Sequence, residues 1–149
     1  MAYHLATSNF ARMLGTYEDE VMAGFVARLE PLNAVADASP GFVWRYQDEA
    51  GEAAEIRVFD DEKILFNMSV WESIDALQNY AYHTNHLEAL QSRAKWFERS
   101  TRPSLVLWWI PAGHIPTVEE AKQHFDILWR DGPSAAAFTF KERFASPEV

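Results

Sequence analysis

No cysteine occurs among the 149 residues. Disulfides, thiolate nucleophiles, cysteine-built zinc sites, iron–sulfur clusters and thiolate-ligated haem are therefore excluded. Positive charge is also scarce, 13 basic against 22 acidic side chains with a formal charge of -9. Such a surface repels polyphosphate and anionic lipid, which argues against nucleic-acid and membrane partners. No run approaches the ~20 apolar residues of a membrane span, and the start, MAYHLATSNFARML, lacks the basic head and apolar core of a signal peptide. A cytoplasmic location is expected. Glycine-rich phosphate loops and a Gly-x-Ser-x-Gly setting are missing too, so nucleotide-dependent and serine-hydrolase chemistry fall away.

What is present is apolar and aromatic: 48% hydrophobic residues and 14% aromatics, enough for one core in a single domain spanning 1–149. Residues 3–10 alternate Tyr3, Leu5, Thr7 and Asn9 with His4, Ala6, Ser8 and Phe10, as a strand does. From Glu18 the period lengthens to Val21, Phe25, Leu29, Leu32 and Ala36, a helical stripe in which Pro31 predicts a kink or a fresh start. Ser39-Pro40-Gly41 supplies a turn. A second strand follows, with Phe42, Trp44 and Tyr46 on one face and Val43 and Arg45 on the other. Residues 47–63 read as a long acidic connection, with an extended piece at Ile56–Phe59. Ile64–Trp71 is a third strand with Ile64, Phe66, Met68 and Val70 on a greasy face, and Leu65, Asn67, Ser69 and Trp71 on a mixed face able to line a pocket.

Ser73 caps a helix carrying Ile74, Leu77 and Tyr80 or Ala81, and the helical pattern resumes from Thr84 through Leu87, Leu90, Ala94 and Phe97. Leu105–Ile110 makes a fourth strand. Thr117 and Glu120 form a capping box for a helix with Val118, Ala121, Phe125 and Leu128, closed by Gly132-Pro133. An extended tail with Phe138 and Phe140 ends the pattern. The order β-α-β-β-α-β plus a terminal helix defines an α+β, ferredoxin-like split βαβ fold with a four-stranded antiparallel sheet. It leaves one sheet face uncovered, with Trp44, Phe66, Met68, Trp108 and Trp109 among the strand residues. Burying such a patch, at roughly 25 cal/mol per Å², predicts a homodimer in which two sheets pair.

The run Asn67 to Ser73 (NMSVWES), Tyr82-His83 with His86, Trp96-Phe97, Leu107 to Thr117 (LWWIPAGHIPT), Gly132-Pro133-Ser134 and Ala137 to Phe140 (AFTF) together resemble the bacterial family DUF3291. The resemblance covers nearly the whole chain and implies a dimeric α/β barrel, the superfamily of antibiotic-biosynthesis and haem-degrading monooxygenases. It is similar to the haem-degrading members in a strand-one Asn, a Trp ending strand three and a His on the next helix: Asn9, Trp71 and His83. Here His86 follows within one turn, so either histidine is a candidate iron ligand or base.

The resemblance and the residue types together give the candidate site. His83, His86 and Asn9 are candidate catalytic groups, with His83 or His86 as the ligand of a haem iron. A cofactor-free site is the alternative. Trp71, Asn67, Tyr80, Trp109 and His114 are candidate ligand-binding residues in a helix–sheet cleft for a hydrophobic or planar molecule. Asn9 and Asn67 can donate hydrogen bonds to a bound oxygen or a carbonyl. His114, in a Gly-His-Ile-Pro loop beside a helix N-terminus, suits a neutral base. Arg93 and Arg99 are cations able to meet a ligand carboxylate. Each has a structural reading beside the functional one: Trp71 as core, the asparagines as strand-end amides, the histidines as helix-junction and loop packing. The function expected is monooxygenase-like, against a non-catalytic ligand-binding homodimer.

Overall fold

The alternation at the N-terminus does form a strand, β1 (Tyr3–Arg12), which lies in the middle of the sheet with a partner on each side. In this computed structural model residues 3–15, 19–46, 64–83, 96–98 and 104–145 are described. A 3-10 turn at Glu20–Met22 leads into α1 (Ala23–Ala38), then come β2 (Phe42–Arg45), β3 (Ile64–Trp71), α2 (Ile74–His83), β4 (Leu105–Pro111) and α3 (Val118–Asp131). The strands lie in the order β2-β3-β1-β4 and every neighbouring pair is antiparallel. This is the ferredoxin-like α+β sheet that the order of elements predicts. No helix among the described residues is long and apolar enough to cross a membrane.

Local chemistry sets the boundaries. The Ser73 hydroxyl accepts from the Ala76 amide at 3.1 Å and opens α2. Thr117 accepts from the Glu120 amide at 3.1 Å and opens α3, and Gly132, at φ 76°, ends it. Ser39 to Phe42 is a tight turn closed by the Phe42 amide on the Ser39 carbonyl, with Gly41 at φ 82° after Pro40. α1 is one continuous helix through Pro31. The 3-10 turn before it differs from the sequence expectation of a helical stripe starting at Val21: Met22 is buried, whereas Val21 is 47% exposed. The connection at 47–63, the helical pattern from Thr84 to Ala94, His86, Arg93 and Arg99 lie outside the described residues.

Each sheet face has its own core. On the first face Leu5, Trp71 and Leu107 pack with Leu77 of α2 and with Phe138 of the tail. On the second face Ala6, Phe66, Met68, Val70, Val106, Trp108 and Ile110 pack against Ala121, Phe125 and Leu128 of α3. The face expected to lie bare is therefore covered by the chain's own last helix. An amphipathic helix following the fourth strand can fold back and remove that apolar surface from water without a second subunit. Trp109 belongs to the other face, beside Phe138 and Phe144. After α3 the chain turns around the outside of β4. Ala137 joins the second-face core and Phe138 the first, while Leu107 and Phe138 exchange two backbone hydrogen bonds of 2.8 and 2.9 Å.

β2 also departs from simple alternation. Phe42 pairs with Trp71, Trp44 with Val70 and Arg45 with Ser69, so an extra residue, Val43, is accommodated as a bulge. Phe42 thus meets Trp71 on the first face, with ring centroids 5.4 Å apart, whereas Trp44 and Tyr46 pack with the second-face core. Arg45 returns to the first face beside Ser69. A strict alternation would have kept Phe42 with Trp44 and Tyr46, and the inserted residue breaks that set.

Candidate functional site on the first sheet face

The register lays the first face out in three rows. Trp109, Leu5, Trp71 and Phe42 run across the sheet in the first; Leu107, Thr7, Ser69 and Arg45 in the second; Leu105, Asn9 and Asn67 in the third. The first row is aromatic and lies under α2 and the tail. Polarity then rises row by row, because β1 and β3 carry Thr7, Asn9, Asn67 and Ser69 at alternate positions pointing the same way. Asn9 and Asn67 stand directly opposite each other and both are exposed. Directly opposed side chains on one face lie close enough for two carboxamides to serve one ligand oxygen.

Trp71 closes the aromatic end. It is 1% exposed. Its indole stacks on Tyr80 at 5.1 Å and 26°, meets Phe42 edge-on, and donates from Nε1 to the Ser69 hydroxyl at 2.9 Å. Burial pushes the Tyr80 phenol up from 10.0 to about 12, with Arg45 opposing and Asp37 adding to the shift. Tyr80 therefore stays protonated at neutral pH. Arg45 reaches α1, where its Nε meets Asp37 Oδ1 at 2.8 Å. Trp109 donates from its indole to the Phe144 carbonyl at 2.9 Å, which fixes the tail over this face.

Of the residues singled out in the sequence, Asn9, Asn67, Trp71, Tyr80 and Trp109 share this face. His83 is the last residue of α2, the helix that covers it. His86 lies outside the described residues. His114 is not brought here. Its Nε2 meets Glu120 Oε1 at 2.8 Å at the start of α3, the helix that covers the opposite face. The Glu120 carboxylate also accepts from the buried Trp108 indole at 3.3 Å, so the acid of the expected capping box is drawn to these two rings. His124, one turn further along α3, stacks on Trp108 at 4.6 Å and 13° and binds the Ala136 carbonyl at 2.8 Å through Nδ1. Burial lowers its pKa below 6.5, against the opposing pull of Ala136 and Glu120.

Sequence reasoning singled out neither Arg45 nor His124 as a functional residue. Arg45 is placed by the bulge, which no glycine or proline announces. His124 carried a usable signal, since it lies four residues after the capping Glu120 and so on the same flank of the helix.

These side chains do not fit a haem laid on Trp71. Tyr80 and Phe42 already occupy the indole, and a macrocycle pressed against it would have to displace a packed ring. Among the described residues no group of three or more His, Asp or Glu is placed to hold a metal ion.

Comparisons with known proteins agree with this architecture. The sequence pattern of the family described as "Domain of unknown function (DUF3291)" matches residues 4–149, and the chain belongs to that family. No curated protein matches its sequence. Among solved structures, a protein of unknown function from Nitrosomonas europaea superposes with a TM-score of 0.51 at 11% identity, over 77% of this chain and 96% of its own. A conserved protein from Methanosarcina mazei gives 0.50 at 11% identity, over 70% and 90%. A variant of SnoaB, a cofactor-independent oxygenase from Streptomyces nogalater, gives 0.49 at 15% identity, over 75% and 95%. The likeness is one of fold.

Proposed function

We propose that the chain is a monooxygenase-like enzyme that needs no cofactor and that takes a planar, oxidisable aromatic molecule on the first sheet face. The observation that carries this reading is the opposed, exposed pair Asn9 and Asn67, set two rows from an aromatic floor on the same face. A flat ring lies over Ser69 and the exposed asparagines, and the carboxamides donate to an oxygen on which negative charge develops. Such a substrate is an anthrone-type methylene flanked by aromatic rings. A base removes a C–H proton, dioxygen takes electrons from the resulting carbanion and bonds to that carbon, and loss of water leaves a ketone. In sum CH2 and O2 become C=O and H2O, with all four electrons drawn from the substrate. His83 and His86 are the candidate bases, at and beyond the end of α2.

Support for a homodimer comes from aromatic side chains at the margin of the second-face core. Trp44, Tyr46 and Trp129 are only partly buried there. Light scattering at micromolar concentration should then return twice the 17.1 kDa chain mass.

The test is oxygen uptake and quinone formation with dithranol, a 1,8-dihydroxyanthrone, in air. Turnover above the buffer rate that falls at least about 10-fold in Asn9→Ala/Asn67→Ala, with the near-ultraviolet dichroism unchanged, is expected. A rate equal to buffer, with no dithranol retained on dialysis, overturns the proposal. Haemin titration is run alongside, and a saturating Soret shift lost in His83→Ala or His86→Ala would replace it with haem ligation.

A further inference from the structure

The bulge at Val43 puts a cation where the strand's alternation would not. Arg45 stands in the second row, directly opposite Ser69, whose other cross-strand neighbour is Thr7. Its side chain is 21% exposed, against 48% for that of Asp37, its partner on α1. Nε and Nη2 are engaged by the two Asp37 oxygens, at 2.8 and 3.4 Å. Nη1 has no partner among the described residues. The more exposed charge of the pair is screened by water, and the less exposed one is screened less, so the sheet side of the pair is net positive. This stands out in a chain of formal charge -9. The Tyr80 phenol adds to the same environment: it lies within electrostatic reach of Arg45 and packs on the aromatic row through Trp71.

We propose that Arg45 is a specificity-determining residue that binds an anionic oxygen of the ligand, which makes the first face selective for planar aromatic acids. The inference rests on the first face being the ligand site. A guanidinium whose one edge is held by a carboxylate presents its remaining N–H groups in a fixed plane. A ring lying over Ser69 and the exposed third row brings an ortho or peri carboxylate to the Arg45 end and leaves its opposite edge to Asn9 and Asn67. Asp37 is a positioning residue, since it holds the fork and stays on the far side of it. The bland alternative is that Arg45 and Asp37 only tie α1 to β2. It predicts that losing either partner has the same consequence.

Equilibrium dialysis with two probes of the same shape separates these accounts. One is 1-hydroxy-2-naphthoate and the other its neutral amide, 1-hydroxy-2-naphthamide, both at about 0.1 M salt, where screening beyond about 10 Å removes general repulsion. The wild-type chain should prefer the acid. Arg45→Gln should weaken the acid at least about 10-fold and the amide less than about 2-fold, and Arg45→Lys should recover part of the loss. Asp37→Asn, which removes the same ion pair but leaves the cation, should hold the acid as tightly as wild type or more so. Equal losses for the two probes in Arg45→Gln, or an Asp37→Asn loss matching that of Arg45→Gln, overturn the assignment. Amide binding without any preference for the acid overturns it and leaves the cleft standing. Failure of both probes to bind wild type removes the cleft and the assignment together.

Discussion

Tyr80 lies on Trp71 with ring centroids 5.1 Å apart and planes 26° from parallel, and that stack carries an ionisable group into the helix–sheet boundary. The phenol is raised from 10.0 to about 12 in the folded chain. Between those values the unfolded chain loses the proton and the folded chain keeps it, so stability falls as pH rises through the window. The loss should reach about 2 kcal/mol in urea unfolding, and Tyr80→Phe should remove the slope. An unchanged slope in that variant would show that Tyr80 titrates freely.

His124 works in the opposite direction. Its folded pKa is lowered below 6.5 by burial, so the unfolded chain binds the proton first as pH falls. Stability is present above 6.5 and lost as pH falls through the depressed value. Thermal unfolding followed from pH 7.5 to 5 should show a slope that His124→Gln flattens, and the ring resonances of His124 should titrate below those of an unfolded control.

Phe125 should be the costliest single truncation on α3. The ring is fully buried, meets Phe10 edge-on at 5.1 Å and stacks on Trp129 at 5.4 Å. Phe125→Ala should cost about 3–5 kcal/mol in denaturant unfolding, through lost transfer energy and the cavity left behind. A loss below about 1 kcal/mol would mean that α3 does not depend on this contact.

Gly41 should not tolerate a side chain. Its φ is +82°, and a Cβ there would stand 2.4 Å from the Cβ of Ala76 on α2. Gly41→Ala combines backbone strain with that collision and should cost roughly 2 kcal/mol or more. A neutral Gly41→Ala would show that the turn and α2 stand further apart.

Where a single element decides its own structure, the sequence was readable. Ser73 and Thr117 announce their helices because capping is local chemistry, and β3 and β4 are recognisable from runs that only a strand accommodates. Of the candidate first face, Asn9, Asn67, Trp71, Tyr80 and Trp109 could be named, because alternation and helical spacing already assign residues to faces. Two kinds of information were not local. Val43 is an ordinary β-branched residue, and its bulge follows from the tertiary demand that Trp44 reach the second core while Phe42 stays on Trp71. The destination of α3 was equally hidden. Its apolar stripe says that it covers something, not which of two faces, and so Trp44, Phe66, Met68 and Trp108 looked bare. His114 sits in a readable loop, but its Glu120 partner depends on where α3 docks.

The return of the chain around β4 has a consequence for assembly. An open sheet is a template at both margins, and any extended chain can add to it by offering its own amides and carbonyls. At Leu107 the outward-facing pair is already taken by Phe138, with the strap clamped by Phe144 on the Trp109 indole. Growth of the sheet past β4 would first have to peel away this segment and expose Phe138 to water. The last residues of the fold thus work as a selvedge: they finish one border of the fabric so that further strands cannot be woven on there.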